Sequence, residues 1–320
     1  MAAARQAIET LQANSGNGIL GYFLWWGTWE ALINPDRLRT LFDDAGLNAL
    51  LHVPDNPTPA LAFRRAVNHG VSGQKGITAK LIADNDAQIT YALRVDDVDK
   101  ANNRAPARQF ARITWIPGRN KVISDNPNDS VVRRILAALP MFRDNHTSDD
   151  LRKAVKSVLN DANAVPVAGR GGNSCFAPAY SHREVKALAQ VMALVTARNG
   201  DIGRQSFVAG PCPEGSEWQS IGEAAGRSEF HSRIERAESD LADFQSRMEA
   251  HLKAVDEAEK AGEEYTATGP RVSSLASRLK EYRELRDKIV SFSAALSFRA
   301  EDMLAKLDTV KTTISDLLGE

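Results

Sequence analysis

The chain has 320 residues, 43% of them hydrophobic and 25% charged, with a formal net charge of −1. That length is more than one core usually holds and argues for two units. The balanced charge excludes a global attraction to nucleic acid or anionic membrane, and two cysteines exclude a disulfide framework.

The charge is unevenly spread. Residues 1–222 carry 25 basic and 21 acidic side chains, and residues 223–320 carry 15 and 20. Cys175 and Cys212 read as small buried thiols of a reduced cytoplasmic protein. The N-terminus lacks the apolar core of a secretion signal. The most apolar run, Ile19 to Ile33, is interrupted by Gly21, Gly27 and Glu30 and falls short of the ~20 residues of a bilayer span. It reads as buried core, with no membrane contact.

A short N-terminal helix is followed by an aromatic strand or core segment over Tyr22–Trp29. Asn34-Pro35 starts a helix, with Asn34 as N-cap and Pro35 in the first turn. Leu38, Leu41 and Phe42 give that helix its core face, and Gly46 ends it. Proline-rich 54–59 leads to a helix at Ala60–Val67 with Phe63 inward and Arg64 and Arg65 partly outward. Strands follow at Ile77–Ala83, Gln88–Val95, Phe110–Ile116 and Asn120–Ser124, the last two joined by a turn at Pro117–Asn120. Helices are expected at about 130–143 and 148–161, then a strand at Cys175–Ala177. A helix opens at the capping box Ser181-x-x-Glu184, and the last strand is Ser206–Ala209.

From Phe230 apolar residues recur at alternating spacings of four and three, through Ile234, Ala237, Leu241, Phe244, Met248 and His251 to Ala258. A second run goes from Leu275 through Tyr282, Arg286, Ile289, Leu296, Ala300 and Leu307 to Leu317. One helix-breaking cluster, 266–270, separates them. Two heptad runs around one breaker describe a long antiparallel coiled-coil hairpin. The fold class is thus an α+β body, residues 1–222, followed by a helical hairpin, residues 223–320. With the turn centred at Thr268-Gly269, Leu241 faces Leu296, Ala237 faces Ala300, and His251 shares a layer with Arg286 that sets the register. Leu285, Val290, Phe292 and Phe298 widen the apolar face beyond the needs of two helices. Val310, Ile314 and Leu317 run past the partner's apolar pattern. These seven residues need a third helix from the body, a second copy or a partner.

Signals for catalysis are absent. Gly16–Gly21 spells G-x-G-x-x-G, but a helix-like segment precedes it and strand-like aromatics follow, the reverse of a dinucleotide site. Gly169–Cys175 lacks the Lys-Ser/Thr of a phosphate loop, and Asp96, Asp97 and Asp99 lack calcium-loop spacing. No metal, cofactor or catalytic residue is implied. Residues 100–134 are basic, with eight Lys and Arg against Asp125 and Asp129. Along a regular strand Arg108, Phe110 and Arg112 share one face, and with Arg119 and Lys121 they would track a phosphate backbone and stack a base. The alternative is a solvated sheet face balanced by the acidic helices.

The run Phe23-Leu24-Trp25-Trp26, the helix of Asn34–Gly46 and the segment Pro54–Val67 with Ala62-Phe63-Arg64-Arg65-Ala66 carry a resemblance. So does the later pattern of a glycine-rich turn, a strand ending in Phe176-Ala177-Pro178 and a helix from Ser181. Over about residues 20–222 the chain resembles a poorly characterised family of unknown function found in bacteriophages and bacterial mobile elements. The resemblance implies no enzyme activity and carries over no catalytic residue. It implies a phage or plasmid context in a bacterial host cytoplasm, and a role in assembly or in managing host machinery. The expected function is a non-enzymatic assembly or adaptor protein that self-associates or docks a protein partner through body and helices. The alternative is a nucleic-acid-binding protein using Arg108, Phe110, Arg112, Arg119 and Lys121.

Overall fold

The computed structural model describes residues 18–28, 31–96, 107–167, 173–198, 206–262, 269–270, 273–296 and 298–318. The expected N-terminal helix lies outside them, as do Trp29, Asp97 and Asp99. The chain is mixed α+β, with antiparallel sheets and long C-terminal helices. It divides into two compact units that interleave along the sequence. One comprises residues 1–27, 158–193 and 206–320, and the other 28–157 and 194–205. The first strand therefore shares a unit with the last helices, and no unit boundary falls at residue 222.

The unit of residues 28–157 opens with the short strand β2 (Leu32–Ile33) and helix α1 (Pro35–Asp44). Asn34 caps α1 by accepting from the Asp36 and Arg37 amides, and Leu38, Leu41 and Phe42 are buried. Gly46, at φ +80°, leaves the helix in the left-handed region where glycine is unstrained. A short helix, α2 (Ala49–His52), precedes α3 (Pro59–Val71), which starts with Thr58 as N-cap and Pro59 in its first turn. Strands β3 (Ile77–Asp84), β4 (Ile89–Asp96), β5 (Ala107–Ile116) and β6 (Lys121–Ser124) then form an antiparallel meander. The β5–β6 turn is a single 3-10 turn, Pro117–Arg119, and Asn120 closes it at φ 44°. Helix α4 (Ser130–Arg143) packs with α3 over one sheet face, and Phe63, Tyr91, Leu93, Ile113, Val132 and Ile135 form the core between them. Strand β7 (His146–Thr147) pairs with β2, and α5 (Ser148–Asp161) follows.

The other unit is built on the sheet order β10-β1-β9-β8. Its central strand is β1 (Ile19–Gly27), flanked by β10 (Ser206–Pro213) and β9 (Ser174–Pro178), with β8 (Val165–Pro166) beyond β9. The described part of the G-x-G-x-x-G motif, from Gly18, runs into β1, so no helix opens at it. Gly210-Pro211-Cys212-Pro213, a chain break by composition, instead continues β10 alongside β1. Helix α6 (His182–Arg198) lies in this unit over most of its length, with Val185, Leu188 and Met192 buried.

The C-terminal helices are α7 (Glu217–Ala261), α8 (Ser273–Leu296) and α9 (Glu301–Leu318). The first arm of the expected hairpin is thus intact, while the second is broken between Leu296 and Glu301, with residues 298–300 non-helical, and folds back. Arg286 reaches Asp308 at 3.3 Å, which sets α9 antiparallel to α8. The break follows from the surplus of apolar surface. Leu285, Phe292, Phe298, Val310 and Ile314 are buried in one core with Phe230, Ile234 and Leu241. The third helix needed by the wide seam is the chain's own last helix. Gln219 on α7 donates to the Leu296 carbonyl at 3.2 Å, satisfying an end carbonyl of α8. Glu301 and Asp302 then place negative charge in the first turn of α9, where the helix dipole favours it. Val290 and Leu317 remain exposed.

The register also differs from the heptad arithmetic. Gly262, at φ +70°, caps α7 in the left-handed region, so the chain leaves the helix ahead of the 266–270 cluster. Asp240 pairs with Arg278 at 3.1 Å, the Tyr282 hydroxyl donates to the Ala237 carbonyl at 3.5 Å, and Gly226 abuts Phe292. Leu296, expected opposite Leu241, lies opposite Gln219. His251 meets Gly269 and Arg286 meets Asp308, so the two form no shared layer.

Helix α7 crosses the sheet on small residues, Gly222, Ala225 and Gly226, all buried. A Cβ on Gly226 would stand 2.3 Å from the Phe292 ring. The space is taken by an aromatic series: Phe23 meets Phe176 at 5.1 Å, Phe176 meets Phe292 at 5.7 Å, and Phe292 meets Phe230 at 5.3 Å.

Candidate docking site

That aromatic series reaches the surface at one end. Phe23 and Trp25 stand two apart on β1, so their side chains share a face, with centroids 6.2 Å apart. Directly across the ladder, Phe23 faces Gly210 and Trp25 faces Val208. Gly210 presents no side chain, and the Trp25 ring fills the space above it. Trp218, in the first turn of α7, leans on Phe23 at 5.3 Å, and Ile221 follows three residues later on the same side of the helix. Trp218 is 47% exposed, Ile221 41% and Val208 40%, while Trp25 is half-buried. Between them lies a cavity of about 100 Å³ lined by Phe23, Leu24, Trp25, Cys175, Trp218 and Ile221. It is almost wholly apolar, and acidic Glu214 and Glu217 stand exposed in the adjoining chain. Such a surface leaves two indoles in contact with water although folding had ample opportunity to bury them.

The floor of this cavity is not reactive. Burial pushes the Cys175 thiol up to about 12, so it is protonated at neutral pH and is no nucleophile. The one histidine near it in sequence, His182, is engaged elsewhere, its Nδ1 lying 2.8 Å from the Tyr22 hydroxyl. Burial, then the Lys186 charge, hold the His182 pKa below its ordinary value.

The basic strand face expected at residues 108–121 is only partly assembled. The ladder shifts between Leu93 and Arg94, leaving Phe110 as an extra residue on β5. Phe110 consequently packs against the Phe63 core beside Ala111. Beyond the bulge the alternation is inverted: Gln109 pairs with Arg94, and Arg108 with Val95. Arg108 and Phe110 thus leave the face of Arg112. Arg112 stays on the helix-free face, Lys121 joins it opposite Ile116, and Arg119 is exposed in the turn.

The sequence reading missed Trp218 and Ile221 because they precede the heptads, which begin at Phe230. The available signal was a lone tryptophan in a polar stretch, Glu214-Gly215-Ser216-Glu217-Trp218-Gln219-Ser220, with an apolar residue three positions on.

A family model matches the chain over residues 19–320, from the first strand to the last helix. The chain belongs to DUF6744, a family of unknown function. The DUF6744 match includes both the sheets and the three C-terminal helices, so it extends well past the 20–222 stretch that carried the resemblance. No curated protein and no solved structure matches the chain.

Proposed function

We propose that this DUF6744 protein is a non-enzymatic adaptor that docks a protein partner on the Trp25–Trp218 surface. The setting is a phage or mobile element acting in a bacterial cytoplasm, as the sequence resemblance implies. One observation carries the docking role: an exposed tryptophan, a half-buried one and two exposed aliphatic side chains surround an apolar cavity of about 100 Å³, although the seam beside them is closed by α9. Exposed indoles backed by a rigid aromatic core are the residues that dominate protein interfaces, and the cavity has room for one inserted side chain. Self-association through the helix seam loses its motive, because Leu285, Phe292, Phe298, Val310 and Ile314 are spent inside the protomer.

The test is co-purification from the native host with tagged wild-type and Trp218→Ala chains. A stoichiometric protein held by the wild type and weakened by at least about 2 kcal/mol in the variant, at unchanged melting temperature, supports the reading. Equal recovery by both chains contradicts it.

A further inference from the structure

The helix-free face of the β3–β6 sheet has a composition that the tryptophan surface lacks. Each of its four strands contributes one cation to it: Lys80 from β3, Arg94 from β4, Arg112 from β5 and Lys121 from β6. The pairing establishes this. Lys80 faces Ala92 across β3–β4, Ala92 faces Arg112 across β4–β5, Arg94 faces both Thr78 and Gln109, and Lys121 faces Ile116. Paired residues share a face, so all four point away from Tyr91, Leu93 and Ile113, which face the helices.

The pairing also puts Asp96 on that face, two residues after Arg94 and opposite Ala107 at the end of β4. The other positions carry Thr78, Ala83, Thr90, Ala92, Ala107, Gln109, Thr114, Ile116 and Ile123, with Thr90 and Ala92 buried among their neighbours. Two further acids near it are engaged. Asp84 pairs with Arg64 at 2.6 Å, and Asp125 accepts from the Arg112 backbone amide at 2.6 Å. Among the described residues none of the four cations has an ion-pair partner, although the chain as a whole is slightly acidic. Neighbouring strands are ~4.8 Å apart, so the four cations span ~14 Å across the sheet. Arg119, exposed in the β5–β6 turn, lies next to this row.

The face also lacks something. Tyr91, Phe110 and Trp115 all pack with the core on the opposite side. Sequence-tolerant binding of single strands draws on rings that stack unpaired bases, and no ring is available here. Duplexes keep their bases stacked on each other and offer a dense double row of phosphates to point charges.

From this we propose that the helix-free face of the β3–β6 sheet binds the phosphate backbone of double-stranded nucleic acid, by charge and without reading bases. Lys80, Arg94, Arg112 and Lys121 are the contacts. The surface belongs to residues 28–157 and stands independently of the tryptophan surface.

Fluorescence anisotropy of the full chain tests it. The probes are labelled random-sequence DNA and RNA duplexes and their separate strands, all of one length, at low salt. Either duplex should bind at least tenfold tighter than its strands. Log affinity should fall with log salt at a slope of about −3 to −4, as expected for four phosphate contacts. Arg112→Glu combined with Lys80→Glu should weaken duplex binding more than tenfold. Arg112→Glu alone should weaken it several-fold, whereas Arg108→Glu, the same charge change on the other face, should leave it within about twofold. All three variants alter exposed side chains, and an unchanged circular dichroism spectrum confirms the fold. Absence of duplex binding, strands bound as tightly as duplexes, or equal loss in the Arg108 variant would each overturn the proposal.

Discussion

The Arg65 guanidinium lies 2.6 Å from Asp150, with the carboxylate side chain 4% exposed. Asp150 also accepts from the Thr147 amide at 2.9 Å, and the wholly buried His146 ring stands 3.5 Å away. Burial alone would raise the Asp150 pKa. The His146 ring, the Arg65 guanidinium and the Thr147 amide outweigh it and hold the carboxyl well below the usual carboxylate range. A carboxyl whose folded pKa is depressed stabilises the fold above its unfolded pKa, near 4, and loses that contribution as pH falls below it. Urea melts should therefore show stability declining below about pH 4, and Asp150→Asn should flatten part of that decline. Removing one partner of a buried pair strands the other charge. Arg65→Ala should accordingly cost about 3–5 kcal/mol at pH 7, and a loss below about 1 kcal/mol would show the pair to be solvent-relaxed. Cutting Phe63, which is adjacent to Arg64 on the helix and fully buried, to alanine should cost a similar ~3–5 kcal/mol. The Phe63-Arg64-Arg65 triplet thus has a structural account: one core anchor and two ion pairs, Arg64 with Asp84 and Arg65 with Asp150.

At the scale of elements, helix propensity and packing make opposite forecasts for Gly226. In an isolated helix Gly→Ala gains ~0.8–1 kcal/mol. Here the new methyl would meet the Phe292 ring, so Gly226→Ala should destabilise by about 1–3 kcal/mol. A higher melting temperature would mean that the Phe292 ring moves aside at no cost. The α7–α8 register has an equally direct test. Cysteines at positions 240 and 278 should be joined efficiently by a short bifunctional thiol reagent, because the native side chains there meet at their ends. Cysteines at 241 and 296 should not, since Leu296 sits opposite Gln219. Most of the element list was legible because its signals are local: Asn34-Pro35 and Thr58-Pro59 mark helix starts, and strict alternation marks β4. The α8–α9 break was not, for it contains no glycine or proline and is dictated by where Phe292 and Phe298 must go. The β5 bulge was equally hidden. It is decided by cross-strand pairing with Leu93, and one extra residue sufficed to send Arg108 and Phe110 to the wrong side.

For the molecule as a whole, the decisive pairings are those of greatest sequence separation. Gly27 of β1 pairs with Ser206, and Phe23 shares a core with Ile314. No local pattern encodes either, which is why a body followed by a helical hairpin was the natural reading of the chain. The candidate site was not legible for the same reason: the aromatic run that holds Trp25 reads as buried core, and Trp218 comes to it only through the β1–β10 pairing. Because α9 completes the core that contains β1, ending the chain after Ala300 should unfold the sheet of residues 19–213 along with the helices. The Phe63 core of residues 28–157 contains none of those side chains and should keep its own transition in a thermal melt. The docking role is tested most directly by site-specific photocrosslinking in the native host, with a photoreactive residue in place of Ile221 and, in a separate chain, in place of Val290. Both positions are about equally exposed, at 41% and 42%, but only Ile221 borders the tryptophan cavity. The account predicts a discrete adduct with one protein from Ile221, abolished by Trp218→Ala, and none from Val290; adducts of equal yield from both positions, or none from Ile221, would contradict it.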